Sequence, residues 1–166
     1  MYKGNFMKKL TLFVAMFFIF AGCSQQTKKA TSKFIKLYQS NKNITKTQEV
    51  IVDNLSKKNY KFINSYNHEK DALKLKQMLY PTLTIELNNS KISTKLISCN
   101  PTIAQELPIR IALYNDIKGK TFISFTDPEY WSLKHNIKDS TCINLVLVVK
   151  RDLLEAVDSL ITKDKK

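Results

Sequence analysis

Two histidines, His68 and His135, and three cysteines, Cys23, Cys99 and Cys142, are the side chains of this chain best suited to metal or thiol chemistry. His68 is followed by Glu69, and His135 lies four residues after the only tryptophan, Trp131. If the fold brings them together, two imidazoles with Glu69, Asp127 or a cysteine make a donor set for zinc, copper or haem iron. Their spacing matches no metal-binding motif. A surface histidine plus a histidine closing a short helix explains both positions equally well. Cys99 and Cys142 pair as a disulfide, lie apart as buried thiols, or serve a metal or redox role. A disulfide would close a loop of about 40 residues and stabilise the fold by about 4 kcal/mol in the chain-entropy model.

The stretch GKTFISFTDPEYWSLKHNI, residues 119–137, concentrates further candidates. A ligand cleft is conceivable between Trp131, His135 and a sheet face carrying Glu86, Arg110 and Tyr114. Ordinary architecture accounts for the same residues. Gly119 suits a turn with positive φ, Asp127 or Thr126 caps a helix, Pro128 fits its first position, and Phe125, Tyr130, Trp131 and Leu133 pin that helix to a sheet.

Several chemistries are excluded by composition. Gly119 is the only glycine after Gly22, so no phosphate-cradling P-loop and no dinucleotide fingerprint can form. There is no nucleophile elbow, no Cys-x-x-Cys and no His-Glu-x-x-His. No catalytic residue and no cofactor are expected, and a non-enzymatic role is the better reading.

Hydrophobic periodicity supplies the elements that must position these residues. Residues 33–40 and 60–67 read as strands rich in β-branched and aromatic residues. Between them, residues 43–60 form a helix capped by Thr45 or Thr47, with Thr47, Val50, Ile51, Asn54, Leu55 and Lys58 on one face. Residues 68–80 predict a second helix, with Ala72, Leu75, Met78 and Leu79 inward and Pro81 as its stop. Leu83, Ile85 and Leu87 alternate with Thr82, Thr84 and Glu86 in a strand with one wet face. A short helix over 91–100, one more turn over 102–107, a hairpin over 108–126 and a helix from 126 to 135 follow. The final run, 141–161, is ambiguous at its β-branched front and helical at its back, where Val149, Leu153, Ala156, Val157 and Leu160 share a face. The order specifies an α+β fold, an antiparallel-rich sheet of about five strands with helices packed mainly on one face.

The N-terminus reads as an export signal. Met7 is followed by Lys8, Lys9 and a 13-residue apolar run ending at Gly22, too short for the roughly 20 residues of a spanning helix. Ala21-Gly22-Cys23 resembles the lipobox of bacterial lipoproteins, although Phe20 is larger than usual there. The resemblance implies that residues 1–22 are a signal peptide, with Met7 a plausible true start, and that Cys23 is lipidated. Residues 23–32 then form a polar, lipid-anchored tether, and residues 33–166 a single domain. Ser24, by the sorting rule of enteric bacteria, points to the outer membrane facing the periplasm. Losing Lys3, Lys8 and Lys9 from 27 basic side chains leaves 24 against 14 acidic ones, or +10. An exported chain with only two arginines, Arg110 and Arg151, has little use for nucleic acid. Its lysines serve solubility or attraction to anionic envelope components.

Residues 81–137 resemble the bacterial family known as domain of unknown function 302. The resemblance rests on Pro81-Thr82 opening a strand, Asn100-Pro101, Leu107-Pro108, the hairpin YNDIKGKTFISFTDPEY and Lys134-His135. Upstream, the helix ending in KKNYKF fits the family's early helix and second strand. At ELNNSKIS the chain departs from the family's Gly-Asn-Pro turn, with Asn89 kept and Ser90 in place of the proline. The resemblance implies a compact α+β domain, often a homodimer, with no agreed activity.

Overall fold

The computed structural model describes residues 32–161, so Cys23 and the N-terminal signal lie outside the described residues. Five strands are present: β1 (Ile35–Gln39), β2 (Lys61–Asn67), β3 (Thr82–Asn88), β4 (Ile109–Asn115) and β5 (Thr121–Thr126). They form one sheet in the order β1-β5-β4-β3-β2, with every neighbouring pair antiparallel. The helices are α1 (Ile44–Ser56), α2 (His68–Lys74), α3 (Ser90–Cys99), α4 (Glu129–Lys134) and α5 (Ser140–Asp158), with a 3-10 helix at Pro101–Glu106. The α+β architecture therefore holds, strand for strand.

Alternation decides which sheet face is dry. Ile85, Leu87, Ile109, Ile111, Leu113, Ile123 and Phe125 are all buried. Cross-strand register carries them to the same side, pairing Ile85 with Ile111 and Leu113 with Ile123. Onto this side α5 lays Val146, Val149, Leu153, Ala156 and Val157, and α1 lays Ile51 and Leu55. The β-branched front of α5 is helical throughout, because tertiary burial outweighs the weak strand preference of its valines. Asp139 starts it by accepting a bond from the Cys142 N–H.

Polar groups fasten the helices to one another. Asn54 Nδ2 donates to the Ala156 carbonyl at 3.0 Å, joining α1 to α5. Tyr60 OH donates to the buried Asp152 at 3.3 Å, and burial next to that carboxylate pushes the phenol well above its ordinary range. Cys99, at the end of α3, is disulfide-bonded to Cys142 in the first turn of α5.

Two local expectations are corrected. Helix α1 is capped by Asn43, whose side chain accepts from Lys46 N, and not by Thr45 or Thr47; the Thr47 hydroxyl is buried against Ser40 Oγ at 2.7 Å. Helix α2 stops at Lys74, well short of Pro81, because Lys76 adopts a left-handed φ of 57° and Gln77 N bonds back to the Ala72 carbonyl. The predicted inward face is consequently lost: Leu75, Met78 and Leu79 are exposed, and Ala72 is half-buried. Gly119 has the positive φ expected of it, in a loop whose Asp116 carboxylate accepts from Lys118 N and Lys120 N.

Removing the disulfide tests the packing of α3 on α5. With the cysteines 43 positions apart in sequence, reduction or the pair Cys99→Ser and Cys142→Ser should lower unfolding stability by about 2–4 kcal/mol. The readout is a lower urea midpoint, and an unchanged midpoint would refute this contribution.

Candidate ligand site

The 3-10 helix begins at Asn100-Pro101, where the Asn100 side chain accepts from Thr102 N and Thr102 Oγ1, at 3.0 and 2.8 Å. Its amide nitrogen donates to the His135 carbonyl at 2.7 Å, so this turn is stitched to the end of α4. Five residues on, Glu106 faces the same region. Its Oε1 accepts from Lys134 Nζ at 2.6 Å and His135 Nε2 at 3.1 Å. Burial pushes the Glu106 carboxyl up, but the bonds and charges of Lys134 and His135 outweigh it and hold the group below the ordinary carboxylate range. An ionised Glu106 fixes His135 as an Nε2 donor. Nδ1 meets Thr102 Oγ1 at 2.8 Å, so His135 has a partner at both ring nitrogens.

Helix α4 is positioned from its other end by Asp127. That buried carboxylate contacts Lys36 at 2.8 Å and Lys150 at 3.4 Å, and accepts from Glu129 N at 3.1 Å. Burial raises the Asp127 carboxyl, yet Lys36, the Glu129 N–H and Lys150 together bring it below its usual range. One side chain thus ties β1, α4 and α5, which explains the Asp-Pro pair without catalysis.

Where β4 begins and β5 ends, a cavity of about 150 Å³ opens between Glu106, Ile109, Arg110, Thr126 and Trp131. Trp131 is 2% exposed, and its indole N–H has no acceptor among the described residues. A buried donor left unpaired costs about 1–3 kcal/mol. Arg110 donates through Nη2 to the Gln105 carbonyl at 2.9 Å, which brings its guanidinium toward the 3-10 helix.

The cleft expected from sequence is only partly assembled. Arg110 and Trp131 share the cavity, and His135 is connected to it through Glu106. Glu86 is the register partner of Arg110 on the face away from the core, and Tyr114, on that same face, stacks on Phe122 at 5.5 Å. The sheet itself separates these from the buried Trp131 and His135, because residues two apart share a face and Ile109, Ile111 and Leu113 claim the dry one. Glu106 was not among the sequence candidates, and no spacing signal links it to residues 28 and 29 positions away. His68 bonds Thr84 Oγ1 at 2.9 Å on the open face, across the sheet from His135. Among the described residues no group of three or more His, Cys, Asp or Glu side chains could hold a metal ion.

Comparison with known proteins places these features in context. The family described as "Domain of unknown function DUF302" matches residues 37–160. The crystal structure of an uncharacterized conserved protein DUF302 from Bacillus stearothermophilus superposes with a TM-score of 0.70 at 15% identity, covering 78% of this chain and 99% of that one. At that identity the likeness speaks for the fold. No curated protein matches the chain.

The Glu106 cluster makes a pH prediction. Its folded value lies below the unfolded 4.5, so its contribution is complete above that pH and fades as pH falls through the folded value. Glu106→Gln should cost about 1–3 kcal/mol at pH 7 and much less at pH 3. Urea titrations at the two pH values check this, and an equal loss at both would refute it.

Proposed function

The chain belongs to the DUF302 family, and from that premise we propose a non-enzymatic binding module, tethered to the cell envelope by a lipid on Cys23, that takes a small polar ligand in the cavity beside Trp131. The observation that carries the binding role is the cavity itself, where Glu106 and Arg110 stand beside the Trp131 side chain. The Arg110 guanidinium calls for a ligand oxygen, and the Glu106 carboxylate suits a donor on the same molecule. At about 150 Å³ the space fits a molecule of few heavy atoms. What supports the anchor is the Lys8-Lys9 flank, the 13-residue apolar run and Ala21-Gly22-Cys23. An outer-membrane location facing the periplasm follows from Ser24 by the enteric sorting rule.

One arrangement invites an enzymatic reading. Thr102, His135 and Glu106 form a hydroxyl–imidazole–carboxylate chain of the kind used in nucleophilic catalysis. The surroundings speak against it. The Thr102 hydroxyl also lies 2.8 Å from Asn100 Oδ1, the Thr102 N–H is spent on that same oxygen, and the Ile103 N–H on the Asn100 carbonyl. None of these N–H groups is left to stabilise an oxyanion. A metal- or haem-binding role through His68 and His135 gains no support from their placement on opposite sides of the sheet.

Native mass spectrometry of the untagged protein from its own envelope, with elemental analysis, should find a small organic ligand and no stoichiometric metal. Trp131→Phe and Arg110→Ala should each weaken retention of that ligand by tenfold or more, about 1.4 kcal/mol. Bound metal or haem, or ester hydrolysis lost in Thr102→Val, would overturn the reading. Cys23→Ala should abolish incorporation of labelled fatty acid.

A further inference from the structure

The early end of α2 leaves an apolar surface uncovered. Leu73, Leu75, Met78, Leu79 and Tyr80 are exposed, Met78 at 93% and Leu75 at 71%. At the end of β2 that leads into α2, Tyr66 is exposed as well, on the open face beside Thr84. Apolar exposure concentrated in one segment marks a docking surface. Lys70, Lys74 and Lys76 are exposed around it, against two carboxylates, Glu69 and Asp71. Asp71 is itself bound by Lys74 and the Tyr66 hydroxyl.

We propose that residues 73–80 dock into the headgroup layer of the membrane that holds the lipid anchor, inserting Leu75, Met78 and Tyr80 while the neighbouring lysines meet anionic lipid. This rests on the lipidation of Cys23. Nine residues, 24–32, separate that cysteine from the described domain. Nine residues reach about 30 Å at most, less than the breadth of a domain whose radius of gyration is about 14 Å. The anchor therefore keeps the domain within about 30 Å of the bilayer. The side it presents is the open sheet face: Ile35 and Leu37 beside the tether are exposed there, and α2 packs there through His68 and Thr84. The segment rejoins the sheet at Thr82, level with Gln39 and diagonally across the open face from Ile35, so the open face must lie along the bilayer for both to meet it. An apolar segment carrying tyrosine, methionine and lysines has the chemistry of an interfacial anchor, and its insertion adds the second signal that a lipid chain needs for stable attachment. A second copy is disfavoured as the occupant of this edge. Strand β2 is irregular between Phe62 and Asn64, and the Ser65 N–H is taken by the Asn64 side chain, so the edge offers a broken ladder.

The test uses the lipidated full chain in phosphatidylethanolamine–phosphatidylglycerol vesicles, with an environment-sensitive fluorophore on Met78→Cys or, on the outer side of α5, Leu147→Cys. The label at 78 should shift to the blue and be quenched by spin-labelled lipid at least about threefold more than the label at 147, as insertion of about 5–10 Å requires. Intact mass reads the acyl chains on Cys23 separately. Acylated protein whose label at 78 stays in water would overturn the docking alone, and an unmodified Cys23 would overturn the anchor and the docking with it. A label shielded without vesicles, in protein that sediments as a dimer, would assign the surface to a second copy and overturn the proposal.

Discussion

The sheet has one dry face, and nearly everything else in the domain answers to it. Seven side chains from β3, β4 and β5 reach that face, and α1 and α5 close over them. Each buried aliphatic side chain is worth about 1.5–3 kcal/mol relative to exposure. A slip of one residue in any strand would move its whole apolar set into water, which is why register is so strongly specified here. The surface ion pairs, such as Lys46 with Glu49 and Lys57 with Asp53, contribute far less.

At the rim of that core, polar groups do the positioning that apolar contact cannot. Asp127 holds β1, α4 and α5 in fixed relation. Helix α4 then delivers Trp131 to the core and Lys134 and His135 to Glu106. Because α4 is only one and a half turns long, it has little stability of its own, and these polar ties at its two ends set its place.

The proposed cavity opens at the end of the sheet where β4 begins and β5 ends, with Ile109 from the dry face and Arg110 and Thr126 from the open one. The disulfide lies on the helical side, between α3 and α5. The open side carries β1, the α2 turn and the uncovered apolar segment, which suits attachment.

Local order was legible in the residues themselves. Alternation in 82–88 and 109–113, the 3.6-residue period of the last helix and Gly119 in its turn all read correctly, because each depends on neighbours a few positions away. The helix after Asp127 starts one residue later than expected, at Glu129, with Pro128 at its N-cap and no side-chain cap bond. The expectation of an export signal at Met7 to Cys23 also rests on length and composition alone, and lies outside the described residues. What the tertiary structure decided is every relation across the chain: Cys99 bonded to Cys142, Glu106 drawn to Lys134 and His135, Asp127 to Lys36 and Lys150, and His68 parted from His135 by the sheet. The early stop of α2 belongs there too, since its period continues to Leu79 while nothing in the fold covers it. Periodicity reports which face of an element is apolar; whether another element arrives to bury that face depends on contacts dozens of residues apart.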